Sequence, residues 1–519
     1  MFVLVLLVAC DAPSASPDAA PAQCGAPTRL ELVRGWPDYE LPRVVSHEKT
    51  LQGVAVGDLD GDGWLDALMA YGGGSALFRN DRSGNLFLDW TATMDGGPLP
   101  SAQAVALADL DADGDLDAYL GRDRGESGRI LLNDGRGYFT STALPDSAQA
   151  AMTGSFADFD GDGDLDLFVG ATVTDQDAQA IADGTVTSGD GDRLFIQQPD
   201  GTFTNETAAR LPAGTTHGWT FHGAPIDADD DGDLDLYLSH DMGPYILPNL
   251  LLVNDGTGHF TRASDCDCEL VMFGMGAALG DADGDGRPDL YLTDIGGPNL
   301  LLSQGDGTFV DATAALGADV PPDPTSLTSW GSTFVDLDLD SYPELATTFG
   351  QLGQPQFAAS LEGTDDSWID GPEQYNVVHR GQVGGGFLRD GTVWDTRNER
   401  ALAVGDLDRD GDPDVVSVGK YFLRQWRTVD SCGPGVTLRL AGRDRNPHAL
   451  GARVRARLGV RTATLWALPS TTGSSNAHEF YVGLGGLPRL DGGEVTWPDG
   501  EVTVFGPAEA GATVVLAEP

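Results

Sequence analysis

Short apolar runs of three to six residues, bounded by Gly and Asp, recur along most of the chain. Val54-Ala55-Val56, Val105-Ala106-Leu107 and Leu402-Ala403-Val404 each stand just before a cluster of aspartates. Ala67-Leu68-Met69, Ala118-Tyr119-Leu120, Leu167-Phe168-Val169 and Leu236-Tyr237-Leu238 each stand just after one. Runs this short and this rich in branched and aromatic side chains read as strands, because an amphipathic helix needs a longer segment with a 3.6-residue period. A hairpin signature follows. Leu131-Leu132-Asn133-Asp134-Gly135 leads into Tyr138-Phe139, and Leu252-Val253-Asn254-Asp255-Gly256 leads to Phe260. Asp200-Gly201-Thr202-Phe203 and Asp306-Gly307-Thr308-Phe309 repeat its second half. Asn-Asp-Gly and Asp-Gly take the tight turns that join neighbouring antiparallel strands. About four short strands in roughly 50 residues make one unit, the size of a propeller blade.

The aspartate clusters fix the repeat. The pattern D-x-D-x-D-G-x-x-D begins at Asp58, Asp109, Asp158, Asp227, Asp281, Asp336 and Asp406, with spacings of 51, 49, 69, 54, 55 and 70 residues. Periods of this size mark propeller blades or solenoid units, and radial closure protects sheet edges. The expected architecture is all-β: a seven-bladed β-propeller over residues 27–430, followed by a small β-sandwich-like domain over 433–519. The longer spacings carry insertions at Thr172–Asp192 and Leu352–Trp394, expected on one face as a binding surface.

The spacing of the aspartates points to calcium, which takes six to eight oxygen ligands. Carboxylates at positions 1, 3 and 5 of a tight loop point inward, Gly at position 6 permits the turn, and the acid at position 9 closes the cage. The side-chain ligands would be Asp58, Asp60, Asp62 and Asp66 in the first loop and Asp109, Asp111, Asp113 and Asp117 in the second. Asp158, Asp160, Asp162 and Asp166 form the third set, Asp227, Asp229, Asp231 and Asp235 the fourth, and Asp281, Asp283, Asp285 and Asp289 the fifth. Asp406, Asp408, Asp410 and Asp414 form the seventh. The sixth, Asp336, Asp338, Asp340 and Glu344, departs: Ser341 replaces Gly and Glu344 replaces Asp. Six Ca²⁺ sites are therefore expected, with the sixth loop in doubt. Without a cation, four close carboxylates would repel or hold protons. An EF-hand would need Glu at position 12 and flanking helices. Position 12 is Met69, Leu120, Val169, Leu238, Leu292, Thr347 or Ser417, and the flanks are strands.

Loops of this kind between short strands resemble the FG-GAP/VCBS repeats of integrin α-chain propellers, over roughly residues 45 to 425. That resemblance implies a calcium-binding interaction or cell-adhesion module. Beyond Cys432 the composition changes. Arg439, Arg443, Arg445, Arg453, Arg455, Arg457 and Arg461 appear, with strand-like alternation through Val436–Leu440, Ala452–Leu458 and Arg461–Leu465. Asn446 with Leu450-Gly451-Ala452-Arg453-Val454, then Val482-Gly483-Leu484-Gly485, then Val495-Thr496-Trp497-Pro498-Asp499-Gly500 resemble an ASPIC/UnbV domain. The combination is similar to the cartilage acidic protein family, which is extracellular, calcium-binding and without established catalysis. The arginines either pair with the acidic propeller or stand solvated on strands.

Charge narrows the partners. Eighty Asp and Glu against 30 Lys and Arg give −50, and such a surface repels nucleic acid and anionic headgroups. Seven dications would bring this to about −36. Met1–Cys10 carries an apolar run too short to span a bilayer and ends in Leu7-Val8-Ala9-Cys10, which resembles a bacterial lipobox, although no Lys or Arg precedes the run. The expectation is a signal peptide over 1–10 with lipidation at Cys10, or an ordinary export signal, and a flexible linker over 11–26. The protein would then be lipid-anchored in the envelope, at the outer membrane or cell surface, or secreted. Of the remaining cysteines, Cys24 and Cys432 flank the repeats as a possible clasp, and Cys266–Cys268 is a local pair.

No H-E-x-x-H, G-x-S-x-G or P-loop occurs. His217-Gly218-Trp219-Thr220-Phe221-His222 is the most pocket-like cluster, read as a hydrogen-bonded or surface pair. The expected role is binding of a protein or glycan ligand without catalysis. The alternative is a propeller hydrolase or lyase acting on extracellular polysaccharide or another envelope substrate.

Overall fold

The computed structural model describes residues 29–33, 39–40, 52–89, 93–94, 97–123, 125–172, 184–320, 328–350, 374–395, 399–419, 422–468 and 470–519. Cys10, Cys24 and most of both insertions lie outside these. Among the described residues the structure is β throughout apart from one helical turn, Thr207–Arg210.

Seven antiparallel four-stranded meanders follow one another along the chain. The first comprises Val54–Gly57, Asp66–Met69, Ala76–Asn80 and Leu86–Leu88. In the seventh, Glu399–Gly405, Asp414–Gly419 and Phe422–Val429 are completed by Arg29–Leu32 from the N-terminal side, which pairs with the last of them. The innermost strand of each sheet packs on that of the next, and the seventh packs on the first, closing a ring. The protein is a β-propeller.

Strand periodicity explains how the sheets pack. Successive side chains point to opposite faces of a sheet. Thus Val54, Val56, Ala67 and Met69 meet Ala401, Ala403, Val416 and Val418 of the seventh sheet. The intervening Ala55 and Leu68 meet Val105, Leu107 and Leu120 of the second. Each sheet is buried on both faces, so its strands read as continuous apolar runs. The Asn that ends the third strand of three blades adds a polar stitch between blades. Asn80 Nδ2 donates to the carbonyl of Leu407 (2.8 Å) and Asn133 Nδ2 to that of Leu59 (3.0 Å). Asn254 Nδ2 donates to Phe159 (2.8 Å). Each acceptor lies at the second position of the preceding blade's aspartate loop.

The C-terminal domain has two facing sheets. One is Phe480–Val482, Val436–Ala441 and Thr513–Ala517; the other is Arg461–Trp466, Arg453–Leu458, Gly493–Thr496 and Val502–Phe505. They share a core of Leu438, Val454, Leu458, Val495, Trp497 and Leu516, with the intervening arginines outward, as the alternation predicts.

Between these sheets the chain sends out a hairpin, Ser470–Thr471 and Ser474–Ser475, that enters the centre of the ring and touches the innermost strand of all seven sheets. Ser475 pairs with Ala55. The Val105 N–H donates to the Gly473 carbonyl (3.1 Å) and the Val54 N–H to Ser474 Oγ (3.0 Å). Only small side chains fit: a Cβ on Gly53 would stand 1.8 Å from the Gly473 oxygen. Gly53→Ala is therefore expected to lower stability by about 1–3 kcal/mol, the usual cost of overpacking. Chemical denaturation with and without the substitution measures it.

Candidate metal centres

Every aspartate loop joins the innermost strand of a sheet to the second strand with the same register. Position 9 pairs with the residue just before position 1: Gly57 with Asp66, Ala108 with Asp117, Ala157 with Asp166 and Ile226 with Asp235. The same holds for Gly280 with Asp289, Val335 with Glu344 and Gly405 with Asp414. All seven loops therefore lie on one face of the ring.

The position-9 carboxylate is a strut as well as a candidate ligand. Asp66 accepts the Leu59 N–H through Oδ2 (3.2 Å) and the Asn80 N–H through Oδ1 (2.8 Å). Asp117 holds Leu110 and Asn133, Asp166 holds Phe159 and Gln197, and Asp235 holds Ala228 and Asn254. Asp289 holds Ala282 and Ser303, and Asp414 holds Leu407 and Thr428. The position-1 carboxylate pins the turn: Asp58 Oδ2 accepts the Gly63 N–H (2.8 Å), and Asp109, Asp158, Asp281 and Asp406 hold the equivalent glycines. Its other oxygen is left over. Oδ1 of Asp58, Asp109, Asp227, Asp336 and Asp406 is buried without a hydrogen-bond partner, as is Oδ1 of Asp160 and Asp229.

These atoms converge. One carboxylate oxygen from each of Asp58, Asp60 and Asp62 lies within 4.8 Å of the others, and so do those of Asp109, Asp111 and Asp117. The same is true of Asp158, Asp160 and Asp166, of Asp227, Asp229 and Asp231, and of Asp281, Asp283 and Asp285. Arginines reach only the outer members: Arg79 pairs with Asp60, Arg82 with Asp62 (2.7 Å), Arg210 with Asp160 (3.1 Å) and Arg427 with Asp408 (2.9 Å). One guanidinium does not balance four carboxylates. Burial pushes Asp66, Asp117, Asp166, Asp235 and Asp289 up to about 8. Burial, with repulsion from neighbouring aspartates, raises Asp158, Asp227 and Asp281 to about 6 and Asp406 to about 7. A clustered set of buried, under-partnered oxygens is the environment a hard cation fits.

The sixth loop keeps this scaffold despite its two replacements. Ser341 N–H donates to Asp336 Oδ2 (2.8 Å) and Leu337 N–H to Glu344 Oε2 (2.8 Å). The positive φ that Gly would supply is taken by Ser341 itself, at 76°.

Some arginines of the C-terminal domain pair with the acidic propeller, as one expectation had it, and others pair within their own domain. Arg453 pairs with Asp230 (2.9 Å), and Arg445 reaches Asp164 (3.9 Å) and donates to the Pro199 carbonyl (2.9 Å), so both hold the domain on the loop face. Arg455 and Arg443 instead pair inside their own domain, with Glu494 and Glu501. His217 and His222 do not form a pair. His217 is exposed, whereas His222 is buried in Trp219–Ile226 with its pKa lowered to about 4 by desolvation. Cys266 and Cys268 are joined. Cys432 is disulfide-bonded, and Cys24, its suggested partner, lies outside the described residues. Sequence reading missed the inserted hairpin; its one signal is Ser470-Thr471-Thr472-Gly473-Ser474-Ser475, a run of small residues inside a domain of alternating strands.

An FG-GAP-like repeat model matches residues 58–120, 119–169, 227–292 and 281–347, spanning the first six loops, and an ASPIC and UnbV model matches 442–519. No curated protein matches. Among solved structures, the chain is similar to an Agrocybe aegerita lectin that recognises non-reducing terminal N-acetylglucosamine. That likeness has 16% identity and a TM-score of 0.41, covering 72% of this chain and 86% of the lectin. It is also similar to Saccharomyces cerevisiae Sqt1 (9%, TM-score 0.42, 79% and 100% covered) and to the V. cholerae biofilm matrix protein Bap1 (12%, TM-score 0.31, 92% and 62% covered). The chain thus carries FG-GAP-like repeats followed by an ASPIC and UnbV domain.

Proposed function

We propose that this protein is an exported, calcium-loaded propeller that binds a protein or glycan partner and does not catalyse a reaction. The observation that carries the metal assignment is the buried position-1 oxygen left without a partner in five of the seven loops. An unpaired buried polar atom costs about 1–3 kcal/mol, more when charged, and calcium at the centre of each loop would satisfy it. At a dissociation constant of about 10⁻⁴ M and free calcium of about 10⁻³ M, each ion would add about 1.4 kcal/mol. Six would rival the whole stability of a typical domain.

Two features favour binding over turnover. The centre of the ring, where a propeller can hold a ligand or substrate, is filled by the hairpin from the C-terminal domain. The face opposite the aspartate loops displays large apolar side chains. Tyr245 is 52% exposed, Val271 66% and Tyr375 50%, all in connections at the far ends of the strands. Both insertions are rooted on that same face: the first between Thr172 and Arg193, and the second between Phe349 and Asn376, shorter than the expected Leu352–Trp394 because Asn376–Gly381 and Phe387–Asp395 are strands of the sixth sheet. Exposed aromatics on a rigid scaffold suit a protein surface or a sugar ring. The N-terminal run and Cys10 would anchor the propeller to the envelope by lipid.

Chelation is expected to lower the melting temperature by about 10 °C or more; an unchanged melt with excess EDTA would refute the calcium reading. The pH dependence has a definite sign. Carboxyls raised to about 8 in the metal-free fold bind protons there that the unfolded chain, titrating near 4, does not. The metal-free fold should therefore gain stability as pH falls from 8 toward 5. Calcium must displace those protons, so its added stability should shrink over the same window. Melting curves with and without EDTA at several pH values check both directions. Tyr245→Ala with Tyr375→Ala is expected to cut retention of envelope or glycan ligands about tenfold at an unchanged melting temperature. Immobilised full-length protein provides the assay.

A further inference from the structure

The sixth loop is the one the sequence marks as degraded, yet it is the most deeply buried of the seven. In the other loops the acid at position 5 is exposed or half-exposed, as at Asp62, Asp113, Asp162, Asp231, Asp285 and Asp410. Here Asp338 is 1% exposed, Asp340 0%, Ser341 2% and Glu344 0%, while Asp336 is 8% exposed. Two oxygens of this cluster, Asp336 Oδ1 and Glu344 Oε1, are buried without a hydrogen-bond partner. Four acids inside the protein with two oxygens unanswered is an arrangement that isolated side chains do not sustain, because burying an uncompensated charge costs several kcal/mol. The loop also keeps the inward geometry of its neighbours: Asp340 N–H donates to Asp338 Oδ1 (3.2 Å) and Tyr342 N–H to Asp340 Oδ1 (2.9 Å).

The cover is the C-terminal domain. The Gly483 N–H donates to Asp336 Oδ2 (2.9 Å) and the Gly485 N–H to the Leu339 carbonyl (3.0 Å). The Arg461 guanidinium lies 4.0 Å over the Tyr342 ring, and the Cys432 N–H donates to the Asp338 carbonyl (2.7 Å). Gly483 admits no side chain, since a Cβ there would stand 2.2 Å from both Asp336 Oδ2 and the Leu339 carbonyl carbon. The Val482-Gly483-Leu484-Gly485 motif is thus a lid on this one loop.

We infer that the sixth loop holds a divalent cation of the calcium class, ligated by Asp336, Asp338, Asp340 and Glu344 and locked in place by the docked C-terminal domain. It is the slowly exchanging ion of the set, and it fastens the two domains. The inference rests on the calcium reading of the other loops. Glu344 supplies its carboxylate from one methylene farther than Asp would, and Ser341 takes the positive φ that Gly at position 6 takes elsewhere. Release of this ion requires the Gly483–Gly485 segment to lift, which is a sub-global opening rather than a loop fluctuation.

The test uses full-length protein saturated with Ca²⁺ and then moved into excess EDTA, with bound ions counted over time by native mass spectrometry. One ion per chain is expected to outlast the rest by about a hundredfold in time, as for opening of a docked unit. Glu344→Gln keeps an oxygen for the Leu337 N–H and should abolish the slow ion alone. Should Glu344→Gln not fold, Asp340→Asn serves, since its amide oxygen still accepts from Tyr342. Gly483→Ala should keep the ion count but speed the slow release. Loss of all ions in one phase, or a slow ion that survives both acid substitutions, would overturn the inference. Six exchangeable ions with no retained seventh would overturn it alone, whereas no bound ion at all would overturn the calcium reading with it.

Discussion

The structure depends on a carboxylate buried at the turn between the first two strands of every blade. In six of the seven blades its two oxygens hold the amide of loop position 2 and an amide at the end of the third strand, as Asp66 does with Leu59 and Asn80. The loop is thereby tied to the sheet at two points and cannot drift. Three more acids are then forced to face the same small volume. Their mutual repulsion and loss of water oppose folding, and the arginines that reach them, such as Arg82 and Arg210, touch only the rim. A cation at each centre, as we propose, would turn a destabilising cluster into a rigid corner. In that light a net charge of −50 is largely a consequence of how the corners are built.

The C-terminal domain uses those corners as a seat. It contributes a hairpin of small residues to the ring centre, where hydrogen bonds from Val54 and Val105 would otherwise point into a channel. Its arginines contact the rims of the third and fourth loops, and its Gly-Leu-Gly segment lies on the sixth. The propeller and the domain are mechanically one body at this face. The binding face we propose is the opposite one, where the insertions are rooted.

Much of this was legible in the residues. Apolar runs flanked by Asp and Gly became strands, Asn-Asp-Gly became hairpin turns, and Arg453–Leu458 alternates as its pattern requires. Three of the four acids named in each of the first five loops do converge. Other features left no local trace. The hairpin at Ser470–Ser475 lacks any hydrophobic period, because it pairs with the ring centre through backbone and hydroxyl groups. The sixth loop looked weakened by Ser341 and Glu344, and the burial that compensates comes from residues more than 140 positions later. The split among the arginines also escaped, since Arg453 and Arg455 stand on the same face of one strand but meet different neighbours.

What the sequence determined by itself is whatever closes within about a dozen residues: strand, tight turn and acid loop, each fixed by side-chain alternation and short-range hydrogen bonds. What only the tertiary structure decided is how these units meet. Val54 binds Ser474 across 420 positions and Asn80 binds Leu407 across 327. No local preference encodes such contacts; they follow from ring closure, which brings distant polar groups together once the apolar faces between blades are buried.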